Sequence, residues 1–248
     1  MPSGSTKPLL ILFTGNHVPS VRAAHGDFDA QFRAAIGDAW SGRWSTADAR
    51  ELDVALPTRD DLAGVIVTGS ASSVTDRLAE PWMLRLEAWL RGAVADQLPV
   101  LGVCFGHQLL ASALGGEVRV NPRGRAMGSR EVRRVADDPL FEGIPERFAV
   151  SLSHRDHVAV APPSATHLVT ADHDDFHAFA AGPFARAVQF HPEFDAAIAR
   201  GYLEARRDVL RTEGLDPEAL LRDVVDVPYG PRLLRNFVTE LVARRTPR

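Results

Sequence analysis

Pro99-Val100-Leu101-Gly102-Val103-Cys104-Phe105-Gly106-His107-Gln108-Leu109-Leu110 reads as a buried strand, a sharp turn and the opening of a helix. Gly102 and Gly106 flank Cys104 two residues away on either side, where a strand-turn-helix elbow brings backbones too close for a Cβ. The residue at the tip is held at strained dihedrals and its side chain is pushed out of the packing. A thiol placed there meets the unpaired N–H groups and positive dipole end of a helix, which favour a thiolate. A lone cysteine is ordinarily a small buried apolar side chain. The paired glycines make Cys104 a candidate nucleophile instead.

Outward from that stretch, residues 8–14 and 64–68 are apolar without alternation, as strands buried on both faces of a parallel sheet are. The second of these ends at Gly69-Ser70-Ala71-Ser72-Ser73, small residues that suit close backbone approach to a ligand. Asp27 is a predicted N-cap for a helix over 28–36, preceded by a loop that reaches Gly26. A second helix is predicted over 81–95, with Trp82, Leu86, Trp89, Leu90 and Ala93 on one face. A short strand is expected near 50–54. After Gly115-Gly116 the pattern changes to brief alternating runs at 117–120, 131–135, 148–152, 167–170 and 185–190, which read as antiparallel strands or sheet edges. The tail reads as an amphipathic helix over 196–212, a helix after Asp216-Pro217 and a third over 232–244. Its apolar stripe suits packing on the core or contact with a second copy, and oligomeric state stays open. The expected architecture is therefore α/β: a flavodoxin-like, mostly parallel sheet flanked by helices, with antiparallel edge strands and a C-terminal helical extension. The chain reads as one domain over 1–248, with a disordered tail at 1–7 and the extension at 196–248.

Composition narrows the chemistry. A chain of 248 residues that is 45% hydrophobic and 24% charged can bury a sizeable core. Its net charge of -4 gives no electrostatic reason to expect nucleic acid or an anionic membrane as partner. Lys7 is the sole lysine, which excludes a P-loop lysine and a buried Schiff-base lysine. A single cysteine forms no internal disulfide, so a reducing cytoplasm is the expected compartment. The apolar run at 9–13 is too short for a signal-peptide core or a membrane span.

A cysteine nucleophile needs a base and a group that orients the base. Among nine histidines, His191 stands at the end of a strand-like run, Ala187-Val188-Gln189-Phe190-His191-Pro192-Glu193. In an extended segment residues i and i+2 face the same way, which places Glu193 beside the imidazole. Cys104, His191 and Glu193 thus form a coherent acyl-transfer triad. His154, His157, His173 and His177, with Asp156, Asp172, Asp174 and Asp175, can also be read as a metal cluster. Such spacings arise in polar loops as well, and the triad needs no metal, so no metal ligand is assigned. His107 is expected to pack on or cap the elbow helix.

Gly-Val-Cys-Phe-Gly-His-Gln at 102–108, followed by Phe-His-Pro-Glu at 190–193, resembles the class I glutamine amidotransferases, in particular stand-alone proteins similar to the glutaminase part of GMP synthase. That resemblance implies hydrolysis of glutamine at Cys104, His191 and Glu193 through a thioester, without a cofactor. It also implies an oxyanion hole from the backbone N–H of Phe105 with that of Gly69 or Ser70. Gln108 and the loop at Ser153, His154 and Arg155 would hold the amino-acid end of the substrate. One departure stands out: Gly69-Ser70-Ala71 replaces the Gly-Gly-Pro usual in members with a biosynthetic partner. It resembles the branch that includes plant γ-glutamyl peptidases. The expected activities are then glutamine or γ-glutamyl amide hydrolysis, γ-glutamyl peptide cleavage, or a glutaminase subunit that works with a separate synthetase, for which 248 residues leave no room.

Overall fold

In the computed structural model, which describes residues 6–245, β1 (Leu9–Phe13) is followed by α1 (Pro19–His25), α2 (Phe28–Ile36) and β2 (Trp44–Asp48). Next come β3 (Gly64–Val67), α3 (Pro81–Ala95), β4 (Val100–Val103) and α4 (Phe105–Ala113). The strands β5 (Glu117–Val120), β6 (Ala126–Arg134), β7 (Arg147–His154), β8 (Asp156–Val160), β9 (Ala165–Thr170), β10 (Ala178–Ala181) and β11 (Ala185–Val188) then run almost without helices. The chain closes with α5 (Ala196–Ala205), α6 (Arg207–Thr212), α7 (Pro217–Arg222) and α8 (Tyr229–Asn236), the last continuing through a π-helical stretch at Phe237–Val242.

Nine strands form one sheet in the order β2-β1-β3-β4-β11-β10-β9-β6-β7. The pairs from β2 to β11 are parallel, and those from β11 to β7 are antiparallel. Leu9 and Ile11 enter the core on one face, Leu10 and Leu12 the core on the other. That division is why β1 shows no polar alternation. Asp27 caps α2 as predicted, its side chain accepting from the Phe28 amide.

Several expectations are corrected. The strand expected near 50–54 lies instead at Trp44–Asp48, an edge strand that is only partly buried. Leu52 and Val54 sit exposed in the turn and bend that follow it. The loop expected before Gly26 contains α1, which buries only Val21. The helix over 196–212 is broken at Arg206 into α5 and α6. Of the five antiparallel runs, β5 leaves the main sheet to pair with β8, and β11 is parallel to β4 on one side. Of the expected tail, residues 1–5 lie outside the described residues, whereas the Thr6 carbonyl accepts from Arg43 Nε at 3.2 Å and Nη2 at 2.7 Å.

The elbow depends on absent side chains. A Cβ on Gly102 would lie 2.6 Å from the Gly106 carbonyl oxygen, and one on Gly106 would lie 2.5 Å from that of Val67. Both obstacles are backbone, so neither can yield without moving β3 or α4. Gly106→Ala is therefore expected to destabilise the fold by about 1–3 kcal/mol. Urea unfolding should show a lower midpoint with an unchanged slope.

Candidate active site

The site stands at the C-terminal ends of three neighbouring parallel strands. β3 delivers Gly69, β4 delivers Cys104 and β11 delivers His191, and these strands are adjacent in the sheet. Register keeps them level, since Gly102 pairs with both Val67 and Ala187. The Cys104 amide donates to the Val188 carbonyl at 2.9 Å, holding the turn against β11. Cys104 itself has φ 53° and ψ -98°, a conformation that L residues rarely adopt and that costs about 1–3 kcal/mol. Its Sγ lies 3.9 Å from the Ser153 carbonyl oxygen.

His191 Nδ1 is 2.7 Å from Glu193 Oε1, with both side chains almost fully buried. Assigned from that partner, Nδ1–H donates to the carboxylate, and Nε2 is the nitrogen left for the Cys104 sulfur. The extended geometry expected here is corrected: β11 ends at Val188 and residues 192–193 turn, so Glu193 reaches back rather than lying alongside. The imidazole stacks on Phe194 at 4.0 Å and 13° and lies parallel to Phe28 at 6.5 Å. Burial alone would lower its pKa. The Glu193 carboxylate and the Cys104 sulfur outweigh burial and raise it well above the ordinary imidazole value. Gly69 leaves room for the ring, since a Cβ there would lie 2.9 Å from His191 Cε1.

A hollow of about 180 Å³ opens beside the thiol, lined by Ser70, Phe105, Gln108, Ser153 and Arg206 among others. His154 and the exposed Arg155 also border it. A larger open depression of about 590 Å³ lies at the opposite, N-terminal ends of β1 to β3 and is lined by no cysteine or histidine. In open α/β sheets ligands bind beyond the C-terminal strand ends, which favours the smaller hollow. Gln108 Nε2 donates to the Asp156 carbonyl at 2.8 Å and to Gln189 Oε1 at 3.0 Å. Both its amide hydrogens are thus committed, so its carbonyl oxygen is what it can offer a ligand.

Three residues at the hollow have no role in the motif reading. Asp156 is buried and accepts from the Ser73 hydroxyl. Arg206, at the break between α5 and α6, lies over the Tyr202 ring at 5.5 Å and makes no ion pair among the described residues. Burial and the neighbouring Arg125 lower its pKa, against Tyr202, Cys104 and Glu213, which pull the other way. Arg125, by contrast, is held bidentately by Glu213 at 2.7 and 2.9 Å. Asp156 follows Ser153-His154-Arg155 directly, a nearness that could have flagged it. Nothing in the tail helix marks Arg206.

His107 packs against Phe179 at 5.2 Å, and burial takes its pKa down to about 4. His154 donates from Nδ1 to the Asp156 carbonyl at 3.0 Å. Burial and nearby His177 take its pKa down to about 3.

Residues 34–204 match the family described as glutamine amidotransferase class-I. Over 130 residues the chain is 40% identical to a glutamine-hydrolyzing GMP synthase of Thermomicrobium roseum, a span of 52% of this chain and 23% of that protein. It is 29% identical over 186 residues to gamma-glutamyl peptidase 5 of Arabidopsis thaliana, covering 72% of each. The chain thus spans about a quarter of the length of the GMP synthases it matches. Its fold superposes on a glutamine amidotransferase of Methylobacillus flagellatus with a TM-score of 0.77 at 24% identity, over 98% of this chain and 97% of that one. Among the described residues no helix is long and apolar enough to cross a membrane. The family match runs from within α2 into α5 and takes in all three strand ends that meet at Cys104, and the chain belongs to the class I glutamine amidotransferase family.

Proposed function

We propose that the protein hydrolyses γ-glutamyl amides, glutamine among them, by nucleophilic attack of Cys104. The observation that carries this reading is the elbow cysteine beside an imidazole whose other nitrogen is fixed by a buried carboxylate. In the first half-reaction the Cys104 thiolate adds to the γ-carbonyl carbon. The resulting oxyanion accepts from the Phe105 amide, which has no partner within the helix at its first turn, and from the amide of Gly69 or Ser70. One such donor contributes about 3 kcal/mol in comparable sites. His191 as imidazolium then gives its proton to the departing nitrogen, the C–N bond breaks, and a γ-glutamyl thioester remains. In the second half-reaction His191 takes a proton from water, the hydroxide adds, and the C–S bond breaks to release glutamate.

Gln108 through its carbonyl oxygen and the Ser153 carbonyl suit the α-ammonium of the glutamyl group, with Ser153, His154 and Arg155 closing that end. No step calls for a metal or an organic cofactor. The reaction suits a reducing cytoplasm, where the thiol stays free. A separate synthetase is one acceptor for the ammonia, as the likeness to GMP synthases suggests.

A second reading, cleavage of γ-glutamyl peptides, is favoured by Arg206. A guanidinium without a carboxylate at the rim of the hollow suits a leaving amine that carries its own anionic group. The two-way coverage of a gamma-glutamyl peptidase supports it too. Only the departing amine differs between the two readings.

Cys104→Ala is expected to lower glutamate release from glutamine and from γ-glutamyl dipeptides by about 10⁴-fold or more, with an unchanged circular dichroism spectrum. Persistent turnover in that variant would refute the mechanism. Glu193→Gln should slow the reaction less than His191→Ala does. Because the Glu193 charge raises the imidazole pKa and the imidazolium is the acid, its loss should move the basic limb of the kcat/KM profile to lower pH. Arg206→Met should reduce kcat/KM for γ-glutamyl peptides about tenfold, the value of one charge-assisted contact, and affect glutamine less. Equal effects on both would remove the peptidase reading.

A further inference from the structure

The antiparallel half of the sheet buries a group of side chains that the reaction above does not use. His154 ends β7, Asp174 lies in the turn after β9, and His177 immediately precedes β10. One ligating atom from each lies within 4.8 Å of the other two. His154 Nε2, Asp174 Oδ2 and both ring nitrogens of His177 are buried without a hydrogen-bond partner. The sequence spacing alone suited a solvated loop. The structure takes these three out of solvent, with exposures of 4%, 1% and 0%.

In His154 and Asp174 the remaining polar side-chain atoms are already committed, which leaves one free atom on each. His154 donates from Nδ1 to the Asp156 carbonyl, so the lone pair is on Nε2. Asp174 Oδ1 accepts from the Phe176 amide at 3.1 Å, with His157 Nδ1 at 3.8 Å, and this leaves Oδ2. His177 is fixed through its backbone amide to the Val169 carbonyl at 2.9 Å, and its ring lies parallel to that of Phe190. Leaving a buried carboxylate oxygen and imidazole nitrogens unpaired costs about 1–3 kcal/mol for each group. A cation takes one such atom from each of the three, leaving the second His177 nitrogen.

We propose that His154, Asp174 and His177 bind one divalent first-row transition ion, zinc by the chemistry of the ligands, which fastens the pocket-lining turn at 153–156 to the β9–β10 connection. Two imidazoles and one carboxylate match borderline ions. The absence of thiolate disfavours copper(I), and the two nitrogens disfavour magnesium and calcium. Zinc bonds of about 2.0–2.2 Å require the three side chains to close in by roughly an ångström, with water in the fourth position. The ion would be structural: it holds the strand end that presents Ser153 to Cys104 and takes no part in acyl transfer.

The test uses the full chain purified without a polyhistidine tag, unfolded and refolded in chelator, then refolded with zinc sulfate. After gel filtration, mass spectrometry should find about one zinc per chain in the wild type, and melting should shift upward relative to the chelated sample. Asp174→Asn with His177→Gln should lose that zinc, and Cys104→Ala should keep it. Cobalt(II) in the wild type should give visible ligand-field bands without a thiolate charge-transfer band, a readout that stands even where the double variant fails to fold. No retained zinc would mean that water fills the cluster, and equal zinc in the double variant would place the ion elsewhere. Loss of zinc in Cys104→Ala, or a thiolate band, would place it at the nucleophile. Each of these results overturns the proposal.

Discussion

Everything at the site follows from one tight passage of backbone, where α4 leaves β4 close enough to β3 that Gly102 and Gly106 tolerate no Cβ. That passage forces Cys104 to positive φ and holds the sulfur clear of the sheet. The strain is sustained because the surrounding strands over-determine it: the Cys104 amide is taken by β11, and the residues flanking the turn are fully buried. A looser elbow would relieve the dihedral and let the thiol turn into the core.

His191 arrives beside Cys104 by topology rather than by sequence proximity. β11 enters the sheet next to β4 only after the chain has built β5 to β10, and parallel pairing then sets Val188 opposite Val103. Beyond that pair the chain turns, and the His191 amide donates to the Ser151 carbonyl of β7 at 2.9 Å. The antiparallel half therefore curls back far enough for β7, at the far edge of the sheet, to reach the site from above. One bond links the strand that carries the imidazole to the strand that carries the Ser153 carbonyl. Displacement of either would be felt by the other.

How much of this was legible depended on burial. β1, β3 and β4 are covered on both faces, and their unbroken apolar runs announced them. The elbow at Cys104 and the nearness of Glu193 to His191 were legible because an elbow motif and a His-Pro-Glu motif each carry local geometry. β2 was missed because an edge strand has little to bury, and Trp-Ser-Thr-Ala-Asp shows no clean alternation. β10 was missed because Ala-Phe-Ala-Ala lacks the β-branched residues that mark strands, although all four residues are buried. The break at Arg206 escaped notice because the apolar stripe continues through it. Asp174 and His177 looked like loop residues, since their burial comes from neighbours distant in sequence, among them His154 and Phe190.

The extension supplies one wall of the hollow through Arg206. It is not loosely attached: Tyr202 on α5 hydrogen-bonds His17 Nδ1 at 2.7 Å, His17 Nε2 meets Gln31 Oε1 on α2 at 2.7 Å, and Asn236 on α8 donates to the carbonyls of Leu140 and Glu142. The first of these contacts fixes the residue over whose ring Arg206 lies. The guanidinium at the rim is thus positioned by a buried polar chain that starts in the parallel half. The family match ends at residue 204, two residues before it. Cys104, His191 and Glu193 lie inside that matched span, whereas Arg206 lies just past its end.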